Sequence, residues 1–173
     1  MASIGVNNAM NGTQNALIYS IKNPLTFIVG TAQIYDWYTN QAVNQKNILW
    51  GEGSSKSTYD PCPQGWRVPA NGTWNDFATD NTPYYIQGQQ TAIGSYTATN
   101  GRLYKNIAWY AAQGLLDSYY AIAALWYIGK DCYSWSSSIS DNSAHYFLAN
   151  MGGIYPTYDN IRANGMSVRC VQE

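Results

Sequence analysis

The stretch Tyr59-Asp60-Pro61-Cys62-Pro63-Gln64-Gly65-Trp66-Arg67-Val68-Pro69 carries two prolines and a glycine within five residues. Proline fixes φ and glycine admits the left-handed region, so Asp60–Gly65 reads as a locked turn. Trp66-Arg67-Val68 follows as a short strand that Pro69 stops. Near the C-terminus, Met166-Ser167-Val168-Arg169-Cys170-Val171 reads as a closing strand, with Val168 and Cys170 on one face. If the two strands are neighbours, Cys62 and Cys170 lie within reach of a disulfide. Closing about 108 residues would then contribute on the order of 4–5 kcal/mol in the chain-entropy model. Two buried thiols are nearly as compatible with the same sequence. Cys132, in a polar, Tyr-rich stretch, is left as a free cysteine.

Outward from this turn the chain alternates short apolar runs with turn signals. Leu25–Gly30 is a β-like run entered at Pro24, Ile34–Trp50 reads as irregular cover for a core, and Gly51–Tyr59 is a polar loop. A short helix is expected near Thr73, with Trp74 and Phe77 on its inner face. Asn81–Gly101 is loop-like, and Leu103–Ala112 gives one or two strands. Tyr119–Ile128 fits helix or strand equally. Ser134–Ser138 and Ala144–Ala149 are expected strands, the latter with Phe147 and Ala149 facing one way and Tyr146 and Leu148 the other. Asn-Gly pairs at Asn11, Asn71, Asn100 and Asn164 signal turns. Without an internal repeat or a clean linker, the reading is one α+β domain.

Composition narrows the function. The chain has 173 residues, 11% of them charged and 15% aromatic, including 16 Tyr and 7 Trp. Its 9 Lys and Arg are scattered singly, which gives no footprint for a phosphate backbone. No apolar run reaches the length of a transmembrane helix, so neither nucleic acid nor membrane insertion is expected. The start of the chain lacks a basic region followed by an apolar stretch, so no secretory signal is read in it. The surface chemistry is hydroxyl, amide and phenol, the mixture that paratopes use.

Enzyme chemistry finds little support. His145 is the one histidine, so any Ser-His-Asp or Cys-His arrangement rests on it alone. Cys62, Cys132, Cys170 and His145 lack zinc-ligand spacing. With Glu only at Glu52 and Glu173, a paired-carboxylate site would draw on Asp residues such as Asp36, Asp60 and Asp117. No phosphate loop or EF-hand occurs. Trp74-Asn75-Asp76 matches a tripeptide beside the calcium site of C-type lectins but stands in the wrong part of the chain, and Trp74 reads as core. No metal or cofactor is expected.

The turn motif resembles the most recognisable segment of FISUMP-type (major paralogous) domains, found in surface and pilin-associated proteins of gut bacteria. The resemblance continues through Ile21–Ile28, Tyr35-Asp36-Trp37-Tyr38, Asn47–Gly51, Ile128-Gly129, Trp135–Ser138 and Arg162–Val171. It implies a C-type-lectin-like fold of the formylglycine-generating-enzyme branch. Enzymes of that branch use a close cysteine pair or several histidines, which this chain lacks, so the fold is expected to serve as a display scaffold.

The C-terminal third resembles the variable proteins of diversity-generating retroelements, in which adenine-directed mutation rewrites asparagine codons between fixed framework residues. The resemblance implies a scaffold over about residues 1–115, a variable region over about 116–161 and a closing strand over 162–173. Gly114, Leu125, Ile128, Gly129, Trp135–Ser138, Ala144, Ile154, Pro156 and Arg162–Cys170 would be framework. The recognition residues would be Ser118, Tyr119, Tyr120, Trp126, Tyr127, Lys130, Asp131, Tyr133, Ser140, Asp141, Asn142, Tyr146, Tyr155, Thr157, Tyr158, Asp159 and Asn160. Trp126 and Lys130 cannot arise from an asparagine codon by adenine changes alone, whereas Cys132 can. Tyr127, Tyr155 and Tyr158 are expected at the surface, and Trp66, Trp135 and Arg169 in the core. The expected function is a non-enzymatic ligand-binding or adhesion domain on a cell surface, pilus or phage particle, with a protein or glycan ligand. A structural pilin subunit and a degenerate metal-dependent enzyme are the alternatives.

Overall fold

The computed structural model describes residues 1–31, 34–51, 56–78, 84–85, 92–93, 96–97, 101–119 and 123–173. The chain begins with β1 (Ala2–Gly5), α1 (Val6–Met10), α2 (Leu17–Lys22) and β2 (Thr26–Val29), followed by a 3-10 turn over Ala42–Asn44. Next come β3 (Trp66–Arg67), β4 (Tyr84–Tyr85), β5 (Ala92–Ile93), β6 (Tyr96–Thr97), β7 (Gly101–Tyr104) and β8 (Ala108–Ala111). The C-terminal third holds β9 (Leu115–Asp117), β10 (Ala124–Trp126), β11 (Cys132–Ser140), β12 (Ser143–Ala149), β13 (Ile154–Ile161) and β14 (Val171–Gln172). Strands dominate and helices are short, giving an α+β protein.

Strands β1 and β2 pair in parallel, which requires a crossover, and α1 and α2 supply it. Val6, Ala9 and Met10 place the apolar face of α1 against Ala16 and Ile28. Asn11 and Gly12, at φ 45° and 81°, end that helix in the left-handed region. Gly30 is fixed by a close approach: a Cβ there would lie 2.8 Å from the backbone of Tyr35 and Asp36. The Leu103–Ala112 region forms the β7–β8 hairpin. The segment near Thr73 is a series of i→i+3 turns instead of a helix, linked by Thr73 N–H to Ala70, Asn75 N–H to Gly72 and Phe77 N–H to Trp74. The turns still deliver Trp74 and Phe77 to the interior, against Cys132, Phe147 and Ala149.

The proline-rich turn is built around the buried Asp60. Its carboxylate accepts the backbone N–H groups of Cys62 at 2.8 Å and Val68 at 2.9 Å. The Lys56 ammonium, 3.8 Å from that carboxylate, donates to the carbonyls of Cys62, Pro63 and Trp66. The turn presents Cys62 to Cys170, and the two form a disulfide with a Cα–Cα separation of 5.8 Å. The closing strand is shorter than expected: Gly165 and Ser167 make single bridges, and only Val171–Gln172 pairs with β3. Trp66 and Arg169 are exposed instead of core, Trp66 because the two-residue β3 turns one face to solvent. Arg169 lies over the Tyr110 ring and donates to the Trp109 carbonyl.

The antiparallel sheet β11-β12-β13 is the largest unit by pairing. Alternation divides its faces as expected, with Phe147 and Ala149 in one apolar cluster and Tyr146 and Leu148 in another. Segment 154–161, to which the sequence reading assigned no strand, is an eight-residue strand at the edge of this sheet. Its single proline, Pro156, fits an edge because it donates no ladder hydrogen bond. The reading of Asn81–Gly101 as loop falls largely outside the described residues, as does Tyr120, but the part that is described is strand: β4, β5, β6 and the first residue of β7. No helix among the described residues is long and apolar enough to cross a membrane.

Removing the bridge with paired Cys→Ser changes at Cys62 and Cys170 should lower unfolding free energy by on the order of 4–5 kcal/mol, read from denaturant titrations. Cys132 is buried, and burial pushes its thiol up to about 12. A thiol reagent should therefore label the native protein negligibly and the unfolded protein at Cys132.

Candidate functional site

Position on the sheet decides which C-terminal residues meet. Trp135 and Tyr158 both pair with Tyr146, placing three aromatic residues in a row across β11, β12 and β13. Between Tyr146 and Leu148 the partner positions on β13 run from Tyr158 to Tyr155, one residue more than on β12. That bulge puts Tyr155 and Tyr158 on one face, with ring centroids 5.8 Å apart. A second bulge spans Ser136–Ser138. These serines are small enough to pack under Pro69, and Ser137 N–H donates to the Pro69 carbonyl at 2.8 Å.

The loop after β10 extends the row. Tyr127 sits at φ 60°, and its carbonyl accepts the N–H groups of Lys130 and Asp131. Gly114 packs under this loop at φ 71°. A Cβ on Gly114 would strike the Trp126 carbonyl oxygen and sit 2.8 Å from the Ile128 nitrogen, so glycine is required. The result is an unbroken line of rings. Centroids are spaced 6.0 Å from Trp126 to Tyr127, 6.3 Å to Tyr133, 5.7 Å to Tyr146 and 5.7 Å to Tyr158, which then meets Tyr155.

Tyr133 and Tyr146, 5% and 4% exposed, form a floor, while Trp126, Tyr127, Tyr155 and Tyr158, at 42–51%, form a rim. Part of this line borders an open recess of about 490 Å³, lined also by Leu115, Asp117, Tyr119, Asn160, Ile161 and Asn164. Burial holds the Tyr133 and Tyr146 hydroxyls well above the ordinary phenol range, so both remain neutral. Tyr133 donates to Asp131 at 3.0 Å. At the far end, Tyr119 stacks flat on Tyr35 with centroids 5.5 Å apart.

The expected recognition residues therefore separate. Tyr119, Trp126, Tyr127, Tyr133, Tyr146 and Asn160 converge on the recess, and Tyr155 and Tyr158 continue its aromatic line. Ser118 is buried, its N–H and hydroxyl both directed to Asn164 Oδ1, so it braces the wall instead of offering a contact. Asp131 is buried beneath Tyr133. Ser140, Asp141 and Asn142 form the β11–β12 hairpin end, where the Asp141 carbonyl accepts from Arg162. Thr157 donates to Asn71 at 2.6 Å. Asp159 faces the His145 imidazole across the β12–β13 pair, and His145 does not line the recess. Lys130 lies in the turn after Tyr127.

Two of the residues expected as framework lie at the surface. Leu125 and Ile128 are 67% and 57% exposed, so with Trp126 and Tyr127 they make four consecutive exposed apolar residues. Cys132 packs in the core behind the sheet, away from the recess. Sequence reading missed Asn164, whose side chain links Ser118 to Asn160 Oδ1 at 3.1 Å, and Tyr35, the stacking partner of Tyr119. The Asn164-Gly165 pair and the aromatic run at Tyr35 were the available signals. Among the described residues no three His, Cys, Asp or Glu side chains gather as metal ligands. The recess offers stacking surface and neutral hydroxyls. No family model, curated protein or solved structure matches the chain.

Tyr127→Ala, Tyr155→Ala and Tyr158→Ala should each leave the melting temperature nearly unchanged. Trp135→Ala and Tyr133→Ala should cost about 3–5 kcal/mol in unfolding free energy, as buried aromatics do. Burial holds the Asp131 carboxyl above its ordinary range, against opposing hydrogen bonds from Tyr133 and Asn150. Its contribution to stability is therefore present at low pH and is lost as pH rises through the folded value. Asp131→Asn should melt above the wild type at neutral pH, with the gap narrowing below about pH 4.

Proposed function

We propose that the chain is a non-enzymatic ligand-binding or adhesion domain. Its recognition face is the aromatic line from Trp126 to Tyr155, and its ligand is a protein or glycan on a cell surface. The observation that carries this reading is the continuity of six rings, in which a buried floor supports an exposed rim. Tyr and Trp provide large, amphipathic contact area at little rotamer cost, and such residues dominate binding energy at interfaces. The adjacent exposed Leu125 and Ile128 enlarge the apolar patch beyond what a solvated loop needs.

The sequence resemblance adds the finer reading: a C-type-lectin-like scaffold of the FISUMP type, displayed on a bacterial surface, pilus or phage particle and diversified by a retroelement. The rim side chains project from a loop and an edge strand, where side-chain exchange disturbs few neighbours. That supports a face able to change while its scaffold stays. It applies best to Tyr119, Trp126, Tyr127, Tyr155 and Tyr158, and less to the buried Ser118 and Asp131.

The test combines binding with population sequence. The purified chain, screened on immobilised glycans and on bacterial cells, should show saturable binding to at least one surface. The triple variant Tyr127→Ala/Tyr155→Ala/Tyr158→Ala should lose that binding about 100-fold or more while melting like the wild type. Retention of binding by the triple variant would reject this face. Across isolates, substitutions in the gene segment coding for residues 116–161 should concentrate at recess and rim positions, and an adenine-rich near-copy of that segment should lie nearby. Uniform variation would reject retroelement diversification but not adhesion.

A further inference from the structure

A second cavity, of about 460 Å³, lies between the N-terminal part of the chain and the sheet, and nothing in the adhesion reading uses it. Its walls include Phe27, Trp37, Trp50, Trp135, Met166 and Val168. Its volume falls in the range of small-molecule sites, which pair apolar walls with a few placed polar groups. We infer that this cavity binds a small molecule with a flat apolar body and a carboxylate group, the carboxylate directed to Arg162 and Lys46.

The charge balance favours an anion. Arg162 borders the cavity with its side chain 11% exposed. One of its terminal nitrogens donates to the Asp141 carbonyl at 2.9 Å, and the other stands 3.9 Å from Asp36. Its Nε is buried and finds no acceptor. Asp36, the one carboxylate on the lining among the described residues, already accepts from Tyr38 N–H at 2.8 Å and from the Gln45 amide at 3.0 Å. Asp36 is thus held by the protein and only weakly engages the guanidinium. Lys46 lies on the lining in an exposed part of the chain and makes no ion pair among the described residues. Among the described residues two cations therefore face one committed carboxylate. A planar carboxylate offers the acceptors that a guanidinium fork requires. The flat body would lie along the indole and phenyl walls.

Naphthoate and its uncharged isostere naphthamide are suitable probes, because three of the six named wall residues are tryptophans whose emission reports occupancy. Wild-type protein should show saturable quenching by naphthoate, at an affinity at least about tenfold higher than for naphthamide. Lys46→Gln, a change at an exposed position, should weaken naphthoate severalfold and leave naphthamide unchanged. Met166→Trp, which fills the cavity, should abolish binding of both. Wild type and Lys46→Gln alone decide the question if Met166→Trp fails to fold. Equal affinity for the two probes, no saturable binding at millimolar naphthoate, or indifference to Lys46→Gln would each overturn the inference.

Discussion

The Asp60 carboxylate is the constraint from which the rest of the structure can be traced. It is buried, so its charge must be met, and two backbone N–H groups and the Lys56 ammonium meet it. Lys56 in turn spends its donors on three carbonyls of the same turn. Such a cluster is weak evidence for net stability, because desolvation offsets most of the attraction. It does specify geometry, since the path of residues 60–68 is one that brings two N–H groups and an ammonium to the buried carboxylate. From that path follow the position of Cys62 opposite Cys170 and that of Pro69 against Ser137. Pro69 holds the bulged run of β11, and β11 carries Tyr133 and Trp135 to the floor of the recess.

The sheet then performs two tasks with one backbone. Its inner face buries Cys132, Phe147 and Ala149 against Trp74 and Phe77, which is ordinary core packing. Its other face carries the tyrosine floor. Because side chains alternate along a strand, the demands on the two faces are nearly independent. The glycine at 114 and the bulge between Tyr155 and Tyr158 bring rings from a loop and an edge strand into line with that floor.

Legibility in the sequence followed the local signal. The Asp60–Pro69 turn, the Thr26–Val29 strand and the alternation of 144–149 were readable because proline, glycine and period-two patterns act over a few residues. The helix expected at Thr73 failed because Trp74 and Phe77 satisfy an inward face in a run of turns as well as in a helix. Strand 154–161 was missed because Pro156 and a polar composition hide an edge strand, whose ladder needs only one partner. Burial of Asp131 and Ser118 was invisible, since it depends on Tyr133 and Asn164, residues brought to them by the fold. Trp66 misled because a tryptophan in a strongly constrained motif suggests core, whereas a two-residue strand leaves one face open.

Among the described residues strand β13 ends the sheet, and that location has a consequence for solubility. An edge strand offers a row of unpaired backbone groups on which a second chain can polymerise, and a Tyr-rich edge is a hazard of that kind. Pro156 removes one donor from the row and the bulge before Tyr158 breaks its spacing. The defence therefore resides in the main chain and not in any particular exposed side chain. Exchange of the neighbouring side chains would leave both of these backbone features in place.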